Sequence, residues 1–158
     1  MIVVCDSSPL IALSIIDRLN LLDSLFKQVL IPVSVFNEAS MANKPEATQI
    51  TEWAKNKVVV AKNRQLINSF NLLLDVGEAE AMALYFEEDA DFLLIDEKKG
   101  REIASFNKIN VVGSLGILLM SKKKGLIPSV EPLLNRLQQS SIRISDELHQ
   151  KTLELAGE

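Results

Sequence analysis

The chain has 158 residues, room for one domain with a full-sized core, and 47% hydrophobic against 24% charged residues excludes a disordered or collagen-like polymer. Seventeen Lys and Arg against 21 Asp and Glu give a formal net charge of −4, so a nucleic acid would be met by a local basic patch rather than by overall charge. One cysteine and one histidine exclude an internal disulfide and a structural zinc site, and point to a reducing cytoplasm.

The opening stretch from Met1 to Ser14 is apolar but lacks the basic start of a signal peptide. No run approaches the roughly 20 apolar residues of a membrane helix. We therefore expect a soluble cytoplasmic domain with no membrane partner. In chain order, Ile2-Val3-Val4-Cys5 reads as a strand ending at Asp6, and Ser8-Pro9 opens a helix from Leu10 to Ile16. Val29-Leu30-Ile31 is a second strand, and Pro32 opens a helix from Val33 to Ser40. Pro45 opens Glu46 to Asn56, and Val58-Val59-Val60 is a third strand. Asp75 opens Val76 to Glu88; Phe92-Leu93-Leu94-Ile95 is a fourth strand, and Glu97 begins a helix to Asn107. Asn110-Val111-Val112 is a fifth strand, followed by a helix from Gly113 to Lys124 with Gly125 as its terminating glycine.

The strands are too short for helices and too uniformly apolar for a one-sided sheet, so they suit strands covered on both faces. Their alternation with long crossovers predicts an α/β fold, a three-layer α/β/α sandwich around a mainly parallel sheet. Residues 128–158, with start signals at Pro128 and Ser145-Asp146, read as a helical C-terminal extension of a single domain spanning 1–158.

In such a sheet ligands sit beyond the carboxyl ends of the strands. Asp6 and Asp96 end two strands, while Glu38 and Glu78 lie on helices opening at the same edge. Each has a plain alternative. Asp6 and Asp96 suit helix starts, Glu38 an exposed helix face, and Asp75-Val76-Gly77-Glu78 has capping-box spacing. Four carboxylates on one edge repel unless a cation intervenes, and an all-oxygen set suits Mg²⁺ or Mn²⁺ rather than zinc.

The ordered motifs resemble those of PIN-domain nucleases, specifically the DUF3368 branch close to VapC toxins. Val4-Cys5-Asp6-Ser7-Ser8-Pro9-Leu10-Ile11 is similar to the family's opening, and Ile31-Pro32-Val33-Ser34-Val35-Phe36-Asn37-Glu38 to its second motif. The stretch Leu74-Asp75-Val76-Gly77-Glu78-Ala79-Glu80-Ala81 matches the LDxGExEA pattern, and Leu93 to Arg101 matches the fourth motif. The resemblance runs over nearly the whole chain. It implies a metal-dependent endoribonuclease, the toxin of a toxin–antitoxin pair, acting as a homodimer on RNA with a small antitoxin protein as partner. It also implies that Asp6, Glu38, Glu78 and Asp96 are catalytic and hold Mg²⁺ or Mn²⁺. Glu80 competes with Glu78 for the third place. Glu78 is preferred because its separation of 18 residues from Asp96 resembles the family's usual third-to-fourth spacing, and Glu80 is turned roughly 200° around the helix. Glu97 is the alternative to Asp96.

A metal held by Asp6 and Asp96 would activate water for in-line attack on a phosphodiester. Lys98, Lys99 and Arg101 follow Asp96 and are candidates for binding RNA, with Ser7 as a further donor; a solvated helix face and a helix cap are the respective alternatives. Trp53 suits packing, and Cys5 a buried strand position. Leu19, Leu21, Leu22, Leu25 and Phe26 are expected to supply apolar surface for a dimer. A phosphoryl-receiver domain and a dehalogenase-type phosphatase are disfavoured, because Asp6-Ser7-Ser8 offers neither adjacent acids nor Asp-x-Asp. The remaining alternative is a catalytically inactive PIN-like module that binds RNA or protein.

Overall fold

A computed structural model describes residues 1–41 and 43–158. Five strands form one all-parallel sheet in the order β3-β2-β1-β4-β5. In chain order the strands are β1 (Ile2–Cys5), β2 (Gln28–Pro32), β3 (Val58–Val59), β4 (Phe92–Leu94) and β5 (Val111–Val112). The helices are α1 (Ser7–Ile15), α2 (Asn20–Leu25), α3 (Val33–Ala39), α4 (Ala47–Trp53), α5 (Arg64–Asn71), α6 (Val76–Glu87), α7 (Lys98–Phe106), α8 (Ser114–Lys123), α9 (Glu131–Gln138) and α10 (Asp146–Ala156).

Alternation along the strands splits the core in two. Val3, Cys5, Val29, Ile31, Leu94 and Val112 face a layer that includes α1, α2, α4, α8 and α9. Val4, Leu30, Leu93 and Ile95 face the opposite layer, centred on Ala79, Met82 and Ala83 of α6. This is the expected α/β/α sandwich. The small alanines of α6 bring that helix close to β1, β2 and β4 together.

Several local expectations shift for identifiable reasons. The first helix begins two residues before Pro9, with Asp6 rather than Ser8 at the capping position. β3 lies at the sheet edge, with Val58 exposed, so it is not covered on both faces. α5 escaped the sequence reading; it turns Ile67 and Phe70 inward while its other positions are mostly polar. The five residues expected to supply dimer surface are instead core. Leu19, Leu21, Leu22, Leu25 and Phe26 are at most 5% exposed, because the segment around α2 packs under the sheet against α8. Leu133, Leu134 and Leu137 of α9 join that same core, and α10 packs on α8. No helix among the described residues is long and apolar enough to cross a membrane.

Candidate active site

The strand order reverses once. The chain steps outward from β1 through β2 to β3, then returns to β4 on the other side of β1. β1 and β4 therefore flank the point where crossovers part, and the crevice above their carboxyl ends is where such a sheet receives a ligand. Asp6 stands there, its N–H donating to the Leu94 carbonyl at 2.9 Å.

Asp6 occupies the capping position of α1 but makes no side-chain cap bond. Its residue is 3% exposed. Burial pushes its carboxyl up to about 7; the Ser7 N–H offsets part of this, and the carboxylates of Asp75, Glu38 and Glu97 push it further. The Asp6 carboxyl is thus buried near other acids without closing a side-chain cap on α1.

Glu78 is 5% exposed and serves two purposes. Its N–H donates to Asp75 Oδ1 at 2.8 Å and its Oε2 accepts from the Asp75 N–H at 3.2 Å, completing the capping box of α6. Burial raises its pKa to about 7, with the Asp75 charge, the neighbouring Glu97 carboxyl and the Asp6 charge acting in the same direction. Glu38, though exposed, comes to the same crevice across the α3–α6 contact. A Cβ at Gly77 would lie 3.3 Å from Glu38 Oε2 and 3.5 Å from Asp75 Oδ1. The absence of a side chain at Gly77 lets the Glu38 carboxylate approach this closely.

Asp96 takes another direction. Its Oδ1 accepts from the Ser114 N–H at 2.8 Å, at the start of α8. Burial raises its pKa, while the hydrogen bonds from Ser114 and the Arg101 guanidinium pull it back. Arg101 in turn donates from Nη1 to the Ile95 carbonyl at 3.1 Å. A Cβ at Gly113 would lie 2.8 Å from Asp96 Oδ1 and 2.9 Å from Arg101 Nη1, so only glycine leaves room for both. Glu97, the next residue, turns toward Glu78 and Asp6. Successive side chains of extended backbone point opposite ways, and Glu97 has β-region dihedrals. If Asp96 faces α8, Glu97 faces α6.

The structure thus gathers Asp6, Glu38 and Glu78 with Asp75 and Glu97, sends Asp96 to α8, and sends Glu80 to Ser34. Asp75 had read only as a cap, and its capping geometry is what brings it here. Among the described residues, no group of three acidic, histidine or cysteine side chains closes on one point as a metal cage does. The donor chemistry nonetheless fits Mg²⁺ or Mn²⁺: every donor is a hard oxygen, and a cation relieves the repulsion that adds to burial in raising Asp6 and Glu78.

Around the crevice, Ser7 is buried, with its backbone N–H beside the Asp6 carboxyl. Lys98 and Lys99 are exposed, Lys98 only loosely paired with Glu102 at 4.0 Å. Arg101 is half-buried and fixed. Trp53 packs through its N–H on Asp23 at 2.7 Å, and Cys5 is wholly buried, which pushes its thiol pKa up. The apolar groove of about 510 Å³ between α5 and α7, lined by Leu66, Phe70, Leu73, Ile103 and Phe106, is separate from the acids.

Comparison with curated proteins and with solved structures finds no match. The family model DUF3368, described as a PIN domain, matches residues 2–158. With nearly every residue inside that match, and with a parallel sheet consistent with it, the chain belongs to the DUF3368 family of PIN domains.

Proposed function

We propose that this PIN domain is a Mg²⁺- or Mn²⁺-dependent endoribonuclease, the toxin component of a toxin–antitoxin pair acting in the cytoplasm. The observation that carries the reading is buried Asp6 at the β1/β4 switch point, ringed by Glu38, Asp75, Glu78 and Glu97. Asp6, Glu38 and Glu78 would hold the metal, with Glu97 in the fourth position instead of Asp96. A bound divalent cation supplies Lewis-acid polarisation of the phosphodiester and a more acidic water. Asp6, whose pKa is raised in the metal-free protein, would hold the cation as its carboxylate. Asp96 fixes the start of α8 and leaves Arg101 free to turn its remaining N–H groups outward to a phosphate. Lys98 and Lys99 add attraction for RNA without a fixed position.

The homodimer belongs to the same proposal. Leu72, Leu73 and Phe106 are 85%, 59% and 88% exposed, an apolar surface fit for burial against a second copy. An antitoxin would be a small protein encoded beside this chain.

A second reading is a PIN-like module that binds RNA or protein without cutting. What favours it is that no three ligating side chains converge among the described residues. Incubating mixed RNA with purified protein in Mg²⁺, Mn²⁺ or EDTA, beside Asp6→Asn, decides between them. Metal-dependent cleavage lost in Asp6→Asn supports the nuclease, and cleavage absent under every metal supports the binding module.

A further inference from the structure

Glu80 had competed with Glu78 for a place among the acids, and the structure gives it a different partner. α3 starts at Pro32, which has no N–H and makes no side-chain cap bond. The first N–H groups of a helix have no acceptor within it. One of them, the Ser34 N–H, donates to Glu80 Oε2 at 3.0 Å, from a residue 46 positions away on α6. An anion at a helix start is also favoured by the helix dipole.

Ser34 and Glu38 are four residues apart, so they lie on one face of α3, one turn from each other. That face meets α6. The two helices touch closely along this stretch, for a Cβ at Gly77 would lie 3.5 Å from Val35 Cγ2 as well as 3.3 Å from Glu38 Oε2. The two successive acids of α6 thus divide their work. Glu78 faces the crevice, and Glu80, turned roughly 200° around the axis, reaches the start of α3.

We propose that Glu80 is a positioning residue whose hydrogen bond to Ser34 seats α3 on α6 and so holds Glu38 at the acidic crevice. This rests on the reading that Glu38 is one of the metal-holding carboxylates. Glu80 touches neither metal nor RNA. It acts through the helix that carries Glu38, as partners behind metal ligands do.

Three variants test it: Glu80→Ala, Glu80→Gln, which keeps an acceptor oxygen at the same reach, and Glu80→Asp, which keeps the charge but is one methylene short. The first readout is metal-free NMR, following exchange of the Ser34 amide and the nuclear Overhauser effect between the Val35 methyls and the Gly77 α-protons. The second is Mn²⁺ affinity by water relaxation. Glu80→Ala should speed Ser34 exchange, weaken the Val35–Gly77 Overhauser effect and lower Mn²⁺ affinity about tenfold. Glu80→Gln should restore all three. Should Glu80→Ala not fold, Glu80→Asp takes its place with the same expected direction.

Folded Glu80→Ala with parental Mn²⁺ affinity overturns the proposal, and so does Glu80→Gln falling as far as Glu80→Ala. A parent that binds no Mn²⁺ sinks the functional reading instead. The Val35–Gly77 Overhauser effect then decides the positioning role alone: its disappearance in Glu80→Ala upholds the role and its persistence refutes it.

Discussion

The carboxyl of Glu78, in the first turn of α6, lies beside that of Glu97, at the head of α7, in the crevice next to Asp6. Two carboxylates brought close repel, and a proton or a cation relieves that repulsion. The chain is folded around a charge requirement, and its stability has to follow whatever meets that requirement.

Without metal, Asp6 and Glu78 stand at about 7 in the folded chain, above ordinary values of 3.8 and 4.5. The folded state then binds more protons than the unfolded state across that interval. Their contribution to stability is full below about pH 4 and is lost as pH rises through 7. Protein in EDTA should therefore be less stable at pH 8 than at pH 5, by on the order of 2–4 kcal/mol in urea unfolding. Asp6→Asn should remove much of that difference. Equal urea midpoints for the parent at the two pH values would contradict this account. The comparison stops at pH 5 because Glu158, lowered to about 2 by Lys122, Ser129 and the Val130 and Glu131 N–H groups, stabilises with the opposite sign at lower pH.

Divalent metal should reverse the effect. A cation that binds only the folded chain stabilises it by about 2.7 kcal/mol at one hundred times its Kd. We expect Mn²⁺ to raise the melting temperature at pH 8, and to raise it less at pH 5, where protons compete for the same oxygens. Glu78→Gln should blunt the rise. Differential scanning fluorimetry with Ca²⁺ and Mn²⁺ in parallel provides the measurement, and an unchanged response in Glu78→Gln would remove Glu78 from the set.

How much of this was legible in the sequence follows from what each signal depends on. The strands and the parallel order rest on short apolar β-branched runs and long crossovers, both local, and each of the five expected strands forms. α6 was found from Asp75 and Glu78 because a capping box is complete within four residues. The partners of Asp96 and Glu97 were out of reach. Choosing between two adjacent acids needs the direction of the backbone at the strand end, and that is set by Ser114 and Arg101, 18 and 5 residues away. The apolar run from Leu19 to Phe26 was misplaced for a related reason. Its composition suits a core and an interface equally, and only the packing against α8 decides.

The two adjacent acids give a direct comparison. Asp96→Asn keeps an oxygen to accept the Ser114 N–H, so it should leave Mn²⁺ affinity near parental, whereas Asp96→Ala should cost about 1 kcal/mol by uncapping α8. Glu97→Gln should leave stability intact or improved at pH 8, because it removes one of the charges crowding Asp6, yet weaken Mn²⁺ binding and cleavage. Titrating Mn²⁺ into all three variants separates the roles. A larger loss of affinity in Asp96→Asn than in Glu97→Gln would return Asp96 to the fourth position.

Charge also sets how RNA is met. With a net charge of −4 and a crevice of acids, the protein should bind RNA weakly in EDTA and more tightly with metal. Arg101 is the one cation of its group held in place, through the Ile95 carbonyl, while Lys98 is 92% exposed along its side chain. Replacing Lys98, Lys99 and Arg101 together with Ala should weaken binding and flatten its dependence on salt by about one unit of log–log slope for each phosphate no longer neutralised. Arg101→Ala alone should carry more of the affinity loss than either lysine, since a fixed guanidinium gives up less freedom on binding. Asp6→Asn should cut no RNA but bind it at least as well as the parent, having one negative charge fewer at the crevice. Fluorescence anisotropy on a short single-stranded RNA, from low to physiological salt, reads each of these variants against the parent. An unchanged slope in the triple variant would place the RNA path elsewhere on the protein, away from the head of α7.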